Sequence, residues 1–217
     1  MSKGSLISFL DDDDWVTEDK LSLQVRSLID NPDCSISVCA LMIKNKEETR
    51  IVKFKFPLNN QYDYFLNNLK SNFGLPLCLI KKSAFLECGG LDNSFKALQD
   101  LDFNLRFFKI GKICLVEKPL IIVNTSDDDR ISRNFKNKID SVKRVMKKYE
   151  KILVLNSYKF FYHSILQMSY AIGDKSSFDE AFKFFQSNNS LKFKYVAMKY
   201  SWRIIYARRI LTKIINY

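Results

Sequence analysis

The sequence predicts an α/β domain followed by an all-helical region. Three observations carry that prediction. Up to Asn124, short apolar and β-branched runs alternate with stretches of helical period. Beyond Asn124 a polar loop, Thr125–Arg133, leads into a pattern that is almost entirely helical. The charge divides at the same place: residues 1–130 hold 17 Lys/Arg and 19 Asp/Glu, a balance of −2, whereas residues 131–217 hold 18 and 5, a balance of +13. Two regions follow, an α/β block over 1–130 and a basic helical tail over 131–217.

The elements can be justified in order. Ser5–Leu10 reads as a short apolar strand running into Asp11–Asp14. Thr17 has the character of a helix N-cap, with Glu18 and Asp19 favourable in a first turn. Leu21, Val25, Leu28 and Ile29 then recur at helical spacing until Asn31-Pro32 stops the run. Cys34–Ile43 and Ile51–Phe56 are apolar and β-branched, and the polar Lys44–Arg50 between them suits an antiparallel pair. Tyr62–Leu69 predicts a helix, Leu77–Ile80 a strand and Lys82–Glu87 one or two helical turns. Cys88-Gly-Gly-Leu-Asp is a glycine turn. Leu101–Ile110 predicts a helix ended by Gly111, and Ile113–Val123 a strand broken at Pro119. The tail offers four helical stretches: Ile139–Tyr149, Leu155–Ile172, Phe178–Gln186 and Tyr195–Ile215.

Composition bounds the function. At 217 residues with 47% hydrophobic content the chain can bury a sizeable core, which excludes a disordered segment. No apolar run approaches the roughly 20 residues that span a bilayer. The N-terminal run lacks a signal cleavage site, so a cytoplasmic chain is expected. Cys34, Cys39, Cys78, Cys88 and Cys114 are odd in number, without C-x-x-C spacing, and sit among apolar neighbours, which reads as buried free thiols.

Two stretches carry chemistry. In Phe9-Leu10-Asp11-Asp12-Asp13-Asp14-Trp15, four adjacent carboxylates follow an apolar strand. They repel one another unless solvated or bridged by a cation. Open α/β sheets place ligands at the carboxyl ends of strands. Oxygen donors there suit Mg²⁺ or Mn²⁺, with phosphate oxygens and water completing the shell. The second stretch runs from Cys88-Gly-Gly-Leu-Asp-Asn-Ser-Phe to Gln99-Asp-Leu-Asp-Phe-Asn-Leu-Arg106. Asp100 and Asp102 open a helix whose N-terminal dipole favours negative charge, and Asp102 and Arg106 can pair at i,i+4.

Together these stretches resemble family 2 glycosyltransferases. FLDDDDW followed by KLSLQ is similar to that family's FLDxDD segment and its helix with K-L-x-x-Q, matched by Lys20, Leu21 and Gln24. GGLDNSFKALQDLDFNLR resembles its G-G-F-D-x-x-F…E-D-x-D-L-x-x-R segment, matched by Gly89, Gly90, Asp92, Phe95, Asp100, Asp102 and Arg106. The resemblance spans roughly residues 4–125. It implies a partial GT-A fold, a mixed sheet with flanking helices, ahead of the helical tail. It further implies an inverting, metal-dependent transferase that takes a sugar from a nucleotide-sugar donor to a glycan or lipid-linked acceptor, in surface polysaccharide assembly.

Carried over, Asp11 and Asp13 are the donor-binding carboxylates, Asp13 holding Mg²⁺ or Mn²⁺, with Asp12 and Asp14 as alternates in register. Asp100 is the general base, and Gly89, Gly90, Asp92 and Asp102 lie on the acceptor side. Gln99 departs from the family's glutamate, removing a charge beside Asp100. The family's opening strand and P-x-Y-N turn have no counterpart here. The resemblance thus implies the metal and acceptor half of a donor site, completed by a preceding segment or by another chain.

Other readings compete. An inactive remnant or accessory binding subunit fits the incomplete match. Nucleic acid is not expected as a partner, because nothing resembles an RNA module and the Asp11–Asp14 edge repels phosphates. The tail's Lys192, Lys194, Lys199, Arg203, Arg208, Arg209 and Lys213, interleaved with aromatic and isoleucine residues, suit an anionic membrane, which implies a peripheral place at the inner face of the plasma membrane.

Overall fold

The computed structural model describes residues 3–44, 48–124 and 134–189. The predicted Tyr195–Ile215 helix, the basic tail from Lys192 and the Thr125–Arg133 loop lie outside the described residues. The chain divides into two compact units, Met1–Arg133 and Asn134–Tyr217.

The first unit is built on a mixed sheet. Its strands are β1 (Leu6–Ser8), β2 (Asp14–Val16), β3 (Cys34–Lys44), β4 (Thr49–Val52), β5 (Cys78–Lys81) and β6 (Lys112–Asn124). The order is β1-β5-β3-β6-β2, with β4 beside the far half of β3. β5 is antiparallel to both β1 and β3, so β1 and β3 run the same way; β6 is parallel to β3. The carboxyl end of β1 therefore lies beside Cys78, where β5 begins. β3 is buried on both faces from Ile36 to Ala40, as expected of a central strand covered on each side.

Helix α1 (Lys20–Asp30) packs across β3, β5 and β6, and its Leu28 joins Cys34, Leu79 and Cys114 in the core, with Val25 and Leu6 against them. α2 (Gln61–Asn67), α3 (Lys82–Glu87) and α4 (Gln99–Phe107) follow. An aromatic cluster fills the region around α4. Phe108 stacks on Phe56 and on Phe65, with ring centroids 5.3 Å and 4.6 Å apart, and Phe73 packs edge-on to both Phe54 and Phe56.

The elements differ from expectation at four places. Asp14-Trp15-Val16 is a strand paired with Val123–Ile121 of β6, so α1 begins later, with Asp19 rather than Thr17 at its N-cap. The buried side of α1 is Lys20, Gln24 and Leu28, while Leu21 and Ile29 face outward. Of the second predicted strand, Ile51–Phe56, only Ile51 and Val52 pair; the pairing starts earlier, at Thr49 in the predicted connection, and Phe54 and Phe56 turn into the aromatic cluster. Pro119 does not break β6. The strand runs through it, and the missing N–H is absorbed where the β3–β6 register shifts on either side of Ala40.

The second unit contains α5 (Phe135–Lys148), α6 (Leu155–Ile172) and α7 (Lys175–Ser187), with α6 packed on both others. Ile139, Val142, Val145, Phe161, Ile165, Leu166, Phe178, Ala181 and Phe185 are buried. Gly173 ends α6 in the left-handed conformation at φ 78°, which a Cβ would strain. Among the described residues no helix is long and apolar enough to cross a membrane.

Candidate active site

β1 delivers the acidic run to one edge of the sheet. Beyond Ser8, the side chains of Leu10, Asp11, Asp12 and Asp13 are exposed, and the Asp14 N–H donates to the Asp11 carbonyl at 3.3 Å. That turn reverses the chain into β2, where Trp15 is 72% exposed. Beneath the run lies Lys20, only 2% exposed, donating from Nζ to Ser8 Oγ at 3.2 Å. Burial holds its ammonium below the usual lysine range. Gln24, one turn on, donates from Nε2 to the carbonyls of Ser37 and Leu77 at 2.8 and 2.9 Å. It thereby ties α1 to β3 and to the turn before β5.

α4 supplies the second carboxylate. Leu98 precedes the helix at φ 65°, a conformation uncommon for leucine, and places Gln99 and Asp100 in the first turn. Asp100 Oδ1 accepts from the Leu101 N–H at 2.8 Å, and Oδ2 accepts from Asn72 Nδ2 at 3.3 Å. Burial pushes the Asp100 carboxyl above the usual carboxylate range; the two hydrogen bonds oppose that shift, and the charge of Asp11 adds to it. The structure thus brings Asp11 and Asp100 within electrostatic reach of each other.

The remaining predicted site residues shape the turn before α4. Gly89 and Gly90 adopt φ 78° and 66°. Asp102 is fully buried, and its Oδ2 takes both Nη2 and Nε of Arg106, at 2.8 and 3.2 Å. Arg106 Nη1 in turn donates to the Cys88 carbonyl, so this pair clamps the glycine turn onto α4. Asp92 accepts at Oδ1 from the backbone and hydroxyl of Ser94. Gln99, where the resembled family has glutamate, donates to the Phe95 carbonyl at 2.9 Å and supports the same loop.

The donor set at Asp11–Asp13 is all carboxylate oxygen. Carboxylate oxygens are hard donors and these are solvent-facing, while among the described residues no three metal-ligating side chains converge. A cation there would complete its shell with ligand oxygens and water.

Sequence reasoning missed Asn72 and Asn104. The signal available was weak: Asn104 lies four residues after Asp100, on one helix face. Nothing local connects Asn72 to either.

No family model matches the chain. A search of curated proteins finds 30% identity over 112 residues with a protein of Haemophilus influenzae named an uncharacterized glycosyltransferase, covering 50% of this chain and 37% of that protein. The chain thus spans little more than a third of that relative. Among solved structures, a crystal structure of S. aureus TarS overlays 91% of this chain and 36% of its own, with a TM-score of 0.43 and 11% identity.

Proposed function

We propose that this chain carries the acceptor-side and metal-side carboxylates of a glycosyltransferase that moves a sugar from a nucleotide-sugar donor to a hydroxyl acceptor with inversion. The observation that supports it best is a buried carboxyl at the start of α4, Asp100, that feels the charge of Asp11 in the acidic run following β1. The named relative agrees in kind.

In this reading Asp11 contacts the donor, and Asp13 with Asp11 would hold Mg²⁺ or Mn²⁺, which when bound offsets the charge of the departing nucleoside diphosphate. Asp100 takes the proton of the acceptor hydroxyl. The acceptor oxygen bonds to the anomeric carbon as the bond from that carbon to the diphosphate oxygen breaks on the opposite face. A carboxylate raised by burial is a stronger base than an exposed one, which favours the transfer. Gly89, Gly90 and Asp92 lie towards the acceptor, and Asp102 acts there through Arg106 by holding the glycine turn. The acceptor class is a glycan or lipid-linked sugar of surface polysaccharide assembly.

Calorimetry with UDP and Mn²⁺ tests the donor side. Heat of binding that requires both, and that is lost in the Asp11→Ala, Asp13→Ala double variant, is the expected result. Unchanged binding in that variant would sink the reading.

A further inference from the structure

We infer that Asn72 and Asn104 are positioning residues that aim an amide donor at Asp100 and so set the orientation and charge of its carboxylate. The inference rests on Asp100 being the base of the proposed transfer, but its geometry stands apart from that reading.

The argument begins at a group that cannot be turned around. The Phe73 carbonyl only accepts hydrogen bonds, and Asn104 faces it at 2.9 Å, so the facing atom of Asn104 must be Nδ2. The same Nδ2 lies 2.9 Å from Asn72, so the Asn72 atom it meets must be Oδ1. With Oδ1 assigned, the other terminal atom of Asn72 is Nδ2, and that atom faces Asp100 Oδ2 at 3.3 Å. One backbone carbonyl thus dictates, through two amides, that the carboxylate meets a donor rather than an acceptor.

The backbone holds each member in place. The Asn72 N–H donates to Leu69 O at 3.1 Å, closing a short 3-10 turn. Asn104 sits in α4, four residues after Asp100, and is fully buried. Its Oδ1 has no hydrogen-bond partner. An unpaired buried acceptor is costly; a leucine would remove it but would take the donor away from the Phe73 carbonyl and from Asn72 Oδ1. Both protons of Asn104 Nδ2 are in use, so the amide serves orientation rather than packing.

The charged and titratable groups around Asp100 are few. The Asp11 charge opposes its ionisation, and Cys78, whose buried thiol is raised well above its usual range, stays neutral. Arg106 is bound to Asp102 and to the Cys88 carbonyl. The Leu101 N–H, the Asn72 amide and the backbone N–H of Asp100 itself favour the anion at Asp100, and Asn72 is the side chain among them.

The test is a carbon-13 titration of the aspartate carboxyls in the full chain, with Asp100 identified by its loss in Asp100→Asn. Asn72 is half-buried, so Asn72→Ala is expected to fold, checked by an unchanged amide spectrum elsewhere. Its Asp100 midpoint should rise by about 0.5–1 unit, the effect of losing one donor to a charged acceptor. Asn72→Asp, which presents an acceptor and a charge, should raise it further. Asn104→Leu, which does not touch Asp100, should shift it in the same direction. An Asp100 midpoint unmoved in Asn72→Ala overturns the inference. The titration needs neither donor nor acceptor, so a shifted Asp100 together with donor binding unchanged in the Asp11→Ala, Asp13→Ala double variant overturns the proposed function and supports the coupling.

Discussion

Asp100 is the residue on which burial and hydrogen bonding act in opposite directions, with burial the larger. A base accepts a proton only when ionised, so activity is expected to fall as pH drops through a value above the ordinary carboxylate range. Asp100→Asn keeps the shape and removes the accepting oxygen. Turnover should drop roughly 10²–10⁴-fold with donor binding nearly intact, measured by steady-state rates beside calorimetry. Wild-type turnover in that variant rules the assignment out. Asp102, two residues on, behaves differently. Arg106→Ala leaves its buried carboxylate without the guanidinium, and stability should fall by roughly 3–5 kcal/mol in urea unfolding. A loss under about 1 kcal/mol would mark the pair as no stronger than an exposed one. The i,i+4 spacing of Asp102 and Arg106 was legible in the sequence because it is local. The burial of Asp102 was not, because it depends on what packs over α4.

Helix caps show how an element's start sets its pH response. Asp174 caps α7, its Oδ1 accepting the Ser177 N–H at 3.1 Å, and the bonds to Ser177 hold its carboxyl below the usual range. A carboxylate depressed in the folded state stabilises fully above its unfolded value and loses that contribution as pH falls through the folded one. Asp174→Ala should therefore cost about 1 kcal/mol at neutral pH, and the difference should shrink below about pH 4. Asn134 caps α5 in the same way, its side chain accepting the Asn137 N–H at 3.0 Å. Asn134→Ala should cost a similar amount without that pH dependence. Equal pH profiles for the two variants would show that the Asp174 charge contributes nothing. α1 carries the opposite lesson: its apolar spacing predicts burial of Leu21 and Ile29, yet Lys20 and Gln24 turn inward. Gln24 can do so because two backbone carbonyls accept its amide, and Lys20 because Ser8 lies within reach.

For the whole molecule, the charge asymmetry invites a measurement that the described residues do not reach. Residues 191–217 hold seven basic side chains and no acidic one. Each contributes about 1 kcal/mol near an anionic surface, and screening weakens that attraction. The full chain is expected to co-sediment with anionic vesicles at low salt and less at high salt, and a chain ending at Ser190 to do so weakly. Equal binding by both would assign the charge to a solvated surface.

Period and turn chemistry in the sequence mark the strands and helices of the described residues apart from β2, the change of character after Asn124, and the places of the carboxylates after a strand and at a helix start. Each of these is a local matter of period, turn chemistry or neighbouring charge. Only the tertiary structure decided that Asp14–Val16 forms a strand, since that pairing needs β6 more than a hundred residues away. It also decided that the charge of Asp11 acts on Asp100, that Lys20 is buried, and that Asn72 stands between Asn104 and Asp100. Those facts follow from which segments the sheet order and the packing of α1 and α4 bring side by side, and contacts between distant segments leave no trace in local periodicity.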